Sequence, residues 1–234
     1  MMAEMFVITF ANPKGGSGKT TAALLLTEQL ARASDRVAIL DCDPNRNIDM
    51  WAEERAERGQ ATPFATLSRP PAGKLPDLVR HSDFDFLVID LEGTADALVV
   101  DALSVSDLCI VPFEPTPMEA RQAGRAIGLI HTISDAQSAP IDYAILFTRT
   151  NAAFQTKEER EIRTETRTVP LLPPLVRRAA YTRIFRDSSL LAELDPRDVS
   201  NLEAAKRNAH DYAEAVARRL TAQAEAPQKA EAVA

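Results

Sequence analysis

Glycine is scarce in this sequence, with 8 in 234 residues, and there is 1 tryptophan. The chain has 2 cysteines and 3 histidines. Cys42 and Cys109 lie far apart, each in or at the end of an apolar run, so both read as small buried hydrophobes. No paired cysteine spacing suggests zinc or an iron–sulfur cluster. Positive charge is not in excess: 27 Lys and Arg face 34 Asp and Glu, for a net charge of −7. That excludes a generally basic nucleic-acid binder, and any DNA contact must come from a local patch. No apolar run is long enough to span a bilayer. An apolar stretch begins at Phe6, so no secretory leader is expected. A cytoplasmic location is the expectation.

What glycine there is gathers in one place. Gly15, Gly16 and Gly18 fall in Asn12-Pro13-Lys14-Gly15-Gly16-Ser17-Gly18-Lys19-Thr20-Thr21. The apolar run Phe6–Phe10 precedes this stretch and an apolar-periodic run, 22–33, follows it. Strand, glycine turn, helix is the context in which such a pattern predicts a phosphate site. Glycines let successive amides point inward and approach phosphate oxygens closely. The following helix adds its N-terminal dipole and free N–H groups. Lys19 is placed to reach the β- and γ-phosphates, and the Thr20 hydroxyl to ligate Mg²⁺.

The common pattern G-x-x-x-x-G-K-[ST] is not met, since its first glycine falls on Pro13. A second lysine, Lys14, opens the loop instead. The stretch resembles the deviant Walker A motif of the ParA/MinD family of P-loop ATPases. That resemblance implies ATP and Mg²⁺ as cofactors, ATP hydrolysis, and nucleotide contacts from Lys14 through Thr21. It also implies a homodimer in the ATP state, in which Lys14 reaches the partner subunit's nucleotide.

The remaining pattern predicts an α/β fold. Apolar runs at 37–40, 84–90, 108–113 and 143–147, and a shorter one at 168–172, read as strands. Helical segments at 19–33, 48–58, 75–80, 118–133 and 201–220, the last with Ser200 as N-cap, alternate with them. Such alternation means a doubly wound, mostly parallel sheet with helices on both faces. One domain over 1–222 is expected, with 223–234, rich in Ala, Glu and Gln, as a disordered tail.

Ligands in such sheets sit at the carboxyl ends of the strands. Asp41, Asp43 and Asp90 all fall there. Asp90 ends an apolar run, as a Walker B carboxylate would. The Asp41-Cys42-Asp43-Pro44 stretch resembles the family's second signature, which implies that Asp43 orients the attacking water and Asp41 supports the metal side. Turn- or helix-capping is the structural alternative for both. Glu92-Gly93-Thr94 after the third of these strands departs from the family's Asp-Thr-Pro-Pro. The Gly93 amide is expected near the γ-phosphate, and Glu92 is either a replacement or a bystander. The base pocket, by the same resemblance, falls on Arg149, Asn151 and Pro173-Pro174.

Between Thr166 and Arg186 there are arginines at 167, 177, 178, 183 and 186 and no acidic residue. The resemblance assigns non-specific DNA binding to Arg177, Arg178, Arg183, Arg186 and Arg207, with a ParB-like or cargo-adaptor protein as stimulating partner and nucleoid association when ATP is bound. A solvated face paired to Glu158, Glu159, Glu161 and Asp187 is the alternative. Met50-Trp51-Ala52 and the size are similar to the VirC-type branch, a DNA-transfer accessory ATPase. A metabolic enzyme similar to dethiobiotin synthetase stays as another alternative, although no small-molecule constellation is visible. The cysteines do not suit a NifH-like electron carrier. The Ala/Glu-rich C-terminus lacks a basic amphipathic membrane helix, so no membrane partner is expected.

Overall fold

The computed structural model describes residues 5–92 and 97–231, with side chains described to Gln223. Seven strands form one sheet: β1 (Phe6–Phe10), β2 (Val37–Cys42), β3 (Ala65–Ser68), β4 (Phe86–Leu91), β5 (Leu108–Phe113), β6 (Tyr143–Thr150) and β7 (Leu175–Val176). Their spatial order is β3-β2-β4-β1-β5-β6-β7, and every pairing is parallel. The helices are α1 (Lys19–Leu30), α2 (Asn47–Glu57), α3 (Leu75–His81), α4 (Ala97–Ser104), α5 (Pro117–Gln137), α6 (Lys157–Glu165), α7 (Ala179–Arg186) and α8 (Leu202–Glu231), with a 3₁₀ turn at Leu191–Glu193.

Two apolar layers flank the sheet. One takes its side chains from α1, α2, α7 and α8, the other from α3 to α6. Strands covered on both sides carry no polar alternation, which is why β2 and β5 are buried at every residue. Ala22–Leu30 of α1 is buried on all sides; this helix is wedged between the sheet and α8, so it lacks a polar face. Within it, Glu28 accepts from the Leu191 and Ala192 amides at 2.8 Å each and so caps the 3₁₀ turn.

Several expectations change. Residues 168–172 form a single bridge, Ile145 to Leu171, rather than a strand. Proline has no N–H to give a ladder, and Pro170, Pro173 and Pro174 interrupt this stretch. Pairing resumes only at Leu175. β3 is a short edge strand without a strong apolar pattern. Ser200 is not the cap of α8: Asn201 precedes it with φ 55°, its carbonyl accepting from Ala205 N. α8 extends to Glu231, past the expected end at 220. The tail expectation over 223–234 otherwise falls on residues outside those described. No helix among the described residues is long and apolar enough to cross a membrane.

Parallel pairing brings all strand C-termini to one edge. Phe10, Asp41 and Asp90 share a level, since Asp90 is in register with both others. The loops after β1, β2, β4, β5, β6 and β7 therefore meet above the middle of the sheet.

Candidate functional site

The loop after β1 takes its shape from two left-handed glycines, Gly16 (φ 77°) and Gly18 (φ 95°). Gly18 has a second reason to lack a side chain. A Cβ there would lie 3.1 Å from Thr148 Cγ2 on β6, and the Thr148 hydroxyl donates to Ser17 O at 2.8 Å. The loop thus presses directly on the neighbouring strand. Gly18 supplies no side-chain cap to α1, so the first amides of that helix keep their donors for another acceptor.

Lys19 is buried at the loop's centre, donating to Asn12 O (3.0 Å) and Lys14 O (3.2 Å). Burial lowers its pKa, and Asp90, Asp43 and Glu92 pull it back up. Asn12 is the pivot underneath: its Nδ2 donates to Pro112 O at 2.8 Å, and its Oδ1 accepts from Lys14 N at 2.9 Å. Lys14 turns its ammonium onto Oε1 of Glu119, in the first turn of α5. Glu119 is 8% exposed, and its other oxygen has no hydrogen-bond partner among the described residues.

Asp90 is fully buried, and among the described residues no donor meets either oxygen in good hydrogen-bond geometry. Burial pushes its pKa up to about 7; the Thr20 hydroxyl and Lys19 offset part of that rise, while Asp41 and Asp43 add to it. Such an orphaned carboxylate is costly unless something cationic is bound. Ser17 Oγ is a second buried, unpartnered atom in the loop. Beside Thr20, these atoms fit a Mg²⁺–phosphate group. No group of three or more His, Cys, Asp or Glu among the described residues could hold a metal unaided, so phosphate oxygens would have to complete the shell.

The other two carboxylates divide their work. Asp41, expected on the metal side, gives its oxygens to three amides: Asp43 N (3.0 Å), Ile48 N (2.8 Å) and Asp49 N (3.1 Å). It caps α2 and fixes the loop before it, as the capping alternative held. Burial raises its pKa and those amides hold it down. Asp43 Oδ1 accepts from Asn45 N and Nδ2, both at 2.8 Å. Glu92 Oε2 lies 4.0 Å from Arg69 Nη1, and Arg69 also donates to Cys42 O. The expected Gly93 contact falls outside the described residues.

A cleft of about 400 Å³ runs over the loop, lined by Gly15 to Thr21, Asp43, Glu92 and Arg149. It adjoins a second of about 250 Å³, which shares Gly18, Thr21 and Arg149 and adds Leu175, Val176, Arg177, Arg178 and Tyr181. Arg149 thus stands at the junction of the two clefts. Pro174 does not line the second cleft; its carbonyl accepts from Asn208 Nδ2 at 2.8 Å, and the residues just after it form the wall. Asn151 is a turn former, accepting from Ala153 N.

The expected arginine surface is not one free face. Arg177 and Arg178 line the second cleft, and Arg177 Nη2 lies 3.2 Å from Glu114 Oε1. Glu114 also lies 3.8 Å from Arg149. Arg183 and Arg186 both pair with Asp187. Arg207 is exposed on the first turns of α8, next to Asn208, whose Oδ1 accepts from Val176 N at 2.9 Å. The segments carrying Arg177 and Arg207 are therefore tied together. Asn12, Thr148, Glu114 and Glu119 escape a reading of the sequence. Only Glu119 leaves a signal there, as the third residue of a helix opening Thr116-Pro117.

The fold and this edge define an α/β P-loop protein with a second lysine in its phosphate loop. A family model described as VirC1 protein matches residues 5–222. Protein ParA of Rhizobium radiobacter is 32% identical over 222 residues, covering 93% of this chain and 98% of that one. Protein virC1 of the same organism is 26% identical, covering 76% and 79%. Among solved structures, a Cyanothece McdA(D38A)–ATP complex superimposes with a TM-score of 0.72 at 15% identity, covering 92% of this chain and 97% of that one. The chain belongs to the VirC1 family, and with it to the ParA/MinD-type P-loop ATPases of partition and positioning.

Proposed function

We propose that this chain is an ATPase switch that pairs over two nucleotides and holds DNA while paired. The observation that carries this reading is the second lysine. Lys19 is buried and committed to its own loop, whereas the Lys14 side chain is 34% exposed at the rim, within reach of a facing subunit. ATP would lie with its phosphates in the larger cleft and its base in the smaller one, against Arg149 and Val176. Thr20 and Asp90 would hold Mg²⁺, which when bound neutralises charge on the phosphate oxygens. Asp43, on a loop fixed by Asp41, would orient the attacking water. Positioning and charge are what a protein contributes to phosphoryl transfer.

DNA contact would fall to the exposed arginines, Arg177, Arg186 and Arg207, through salt-sensitive phosphate binding. A ParB-like or adaptor protein would stimulate turnover. The deciding experiment measures ATP binding, sedimentation and ATP turnover of Lys14→Ala and Lys19→Ala. Lys19→Ala should lose nucleotide. Lys14→Ala should keep it but fail to pair. Parent-like behaviour of both variants would remove the reading.

The family model favours a second reading in which the cargo is DNA in transfer rather than in partition. Retention of one DNA sequence over random DNA, with ATP present, would support it. Equal retention would return the chain to partition or positioning.

A further inference from the structure

We infer that Glu119 is an internal latch for Lys14, setting how readily two subunits pair. This inference rests on the proposed pairing over nucleotide.

Three observations converge. First, the Lys14 ammonium is bound to Glu119 of its own chain, so the group needed across the twofold axis is turned inward. Second, the latch is anchored at both ends. The Asn12 side chain bonds Lys14 N and Pro112 O, which ties the loop to the end of β5. Glu119 sits in a helix start fixed by Pro117 and by Thr116 Oγ1 accepting from Glu119 N. Third, Glu119 is held by little else. Among the described residues its second oxygen is buried without a hydrogen-bond partner, and its first takes the Lys14 ammonium.

The consequence is a competition. For Lys14 to reach a phosphate on the facing subunit, its contact with Glu119 must open. Opening leaves a carboxylate in a poorly hydrated place, close to where polyphosphate charge would gather, and that opposes pairing. Subunits would pair only when contacts across the interface outweigh this loss. Replacing Glu119 with an uncharged side chain should shift the balance toward the pair.

The test measures self-association of the full chain by sedimentation in ATP and Mg²⁺, for the parent, Glu119→Gln, Lys14→Ala and the double variant. Glu119→Gln should pair at about tenfold lower concentration. Glu119→Ala should do the same if Gln happens to disturb the helix start. In the Lys14→Ala background the Glu119 substitution should have no effect, because the latch then has nothing to hold. If Glu119→Gln and Glu119→Ala pair no better than the parent while Lys14→Ala fails to pair, the latch is wrong and the proposed function stands. If Lys14→Ala pairs and turns over as the parent does, the proposed function falls and the latch with it.

Discussion

Two cation–carboxylate pairs in this molecule have opposite characters. Arg55 of α2 is fully buried and every arm is used. It donates to Thr62 Oγ1 (3.2 Å), Ser188 O (3.2 Å), Ala61 O (2.5 Å) and both oxygens of Glu193 (2.6 and 2.9 Å). Its guanidinium also lies 5.1 Å from the centre of the Trp51 ring. Lys14 makes one ionic contact, at the rim, to a carboxylate left half-satisfied. The first pair is knitted into the scaffold; the second is set up to part.

The Arg55 cluster also explains why α2 stays in place. Trp51 Nε1 donates to Ile184 O at 3.0 Å and Arg58 Nη1 to Asp187 O at 2.5 Å. With Ser188 O, three carbonyls at the end of α7 are satisfied by side chains of α2 and its C-cap Arg58. The helix that follows Asp43 is therefore clamped to the helix that carries Arg183 and Arg186. The edge above β1 and β4 is the reverse: there Ser17 Oγ and both Asp90 oxygens are buried with no hydrogen-bond partner among the described residues.

Arg55→Ala should give the largest loss. It strands two carbonyls and part of Glu193, so unfolding free energy should fall by about 3 kcal/mol. Urea unfolding measures this. A loss under about 1 kcal/mol, the range of a surface pair, would erase the contrast.

Asp90→Asn should act in the opposite direction, depending on pH. The folded pKa of about 7 lies above the ordinary aspartate value of 3.8, so the folded state binds the extra proton between them. The stabilisation linked to Asp90 is full below about 3.8 and lost as pH rises through about 7. At most it is roughly 4 kcal/mol. Without nucleotide or metal, Asp90→Asn should match the parent near pH 4 and exceed it at pH 8. An equal pH slope in both proteins would show that Asp90 is not the orphaned group.

The loop glycines separate fold from function within the site itself. Gly18→Ala combines left-handed backbone with the Thr148 clash and should cost about 2 kcal/mol. Gly15→Ala meets nothing within 4 Å. Its stability should stay within about 0.5 kcal/mol of the parent, while its methyl group projects into the cleft and weakens ATP binding. Thermal melts with nucleotide titrations would read both. A Gly15→Ala variant that binds ATP as the parent does would argue against the phosphate cradle.

These contrasts follow how far each feature was legible in sequence. The phosphate loop was readable because its signal is local: glycines, lysines and threonines between a strand and a helix. The strand-end aspartates were readable as positions, but the amides that Asp41 accepts from were not. Asp41 is claimed by amides up to eight residues away, a matter of loop geometry. Glu119 is 105 residues from Lys14, and Glu114 is 63 from Arg177. Only the β1–β5 adjacency and the β5-β6-β7 order bring these partners together. The Arg177 pairing was hidden because Glu114 follows another strand, whereas Asp187, which meets Arg183 and Arg186, lies beside them in sequence and was open to view as the alternative. α6 escaped because it is mostly charged, held by pairs such as Arg163 and Glu159 at 2.9 Å.

The smallest expected effect decides what kind of contact Lys14 makes. If Lys14 and Glu119 form a latch, their union must be weak enough to open during each cycle. A side chain one-third exposed, with one partner, should contribute about 1 kcal/mol or less. The double variant Lys14→Ala/Glu119→Gln, which removes the pair without leaving a lone buried charge, should then unfold in urea within that margin of the parent. A loss as large as that of Arg55→Ala would mean that Lys14 belongs to the scaffold. A lysine so strongly held could not be released at the interface without destabilising the subunit that presents it.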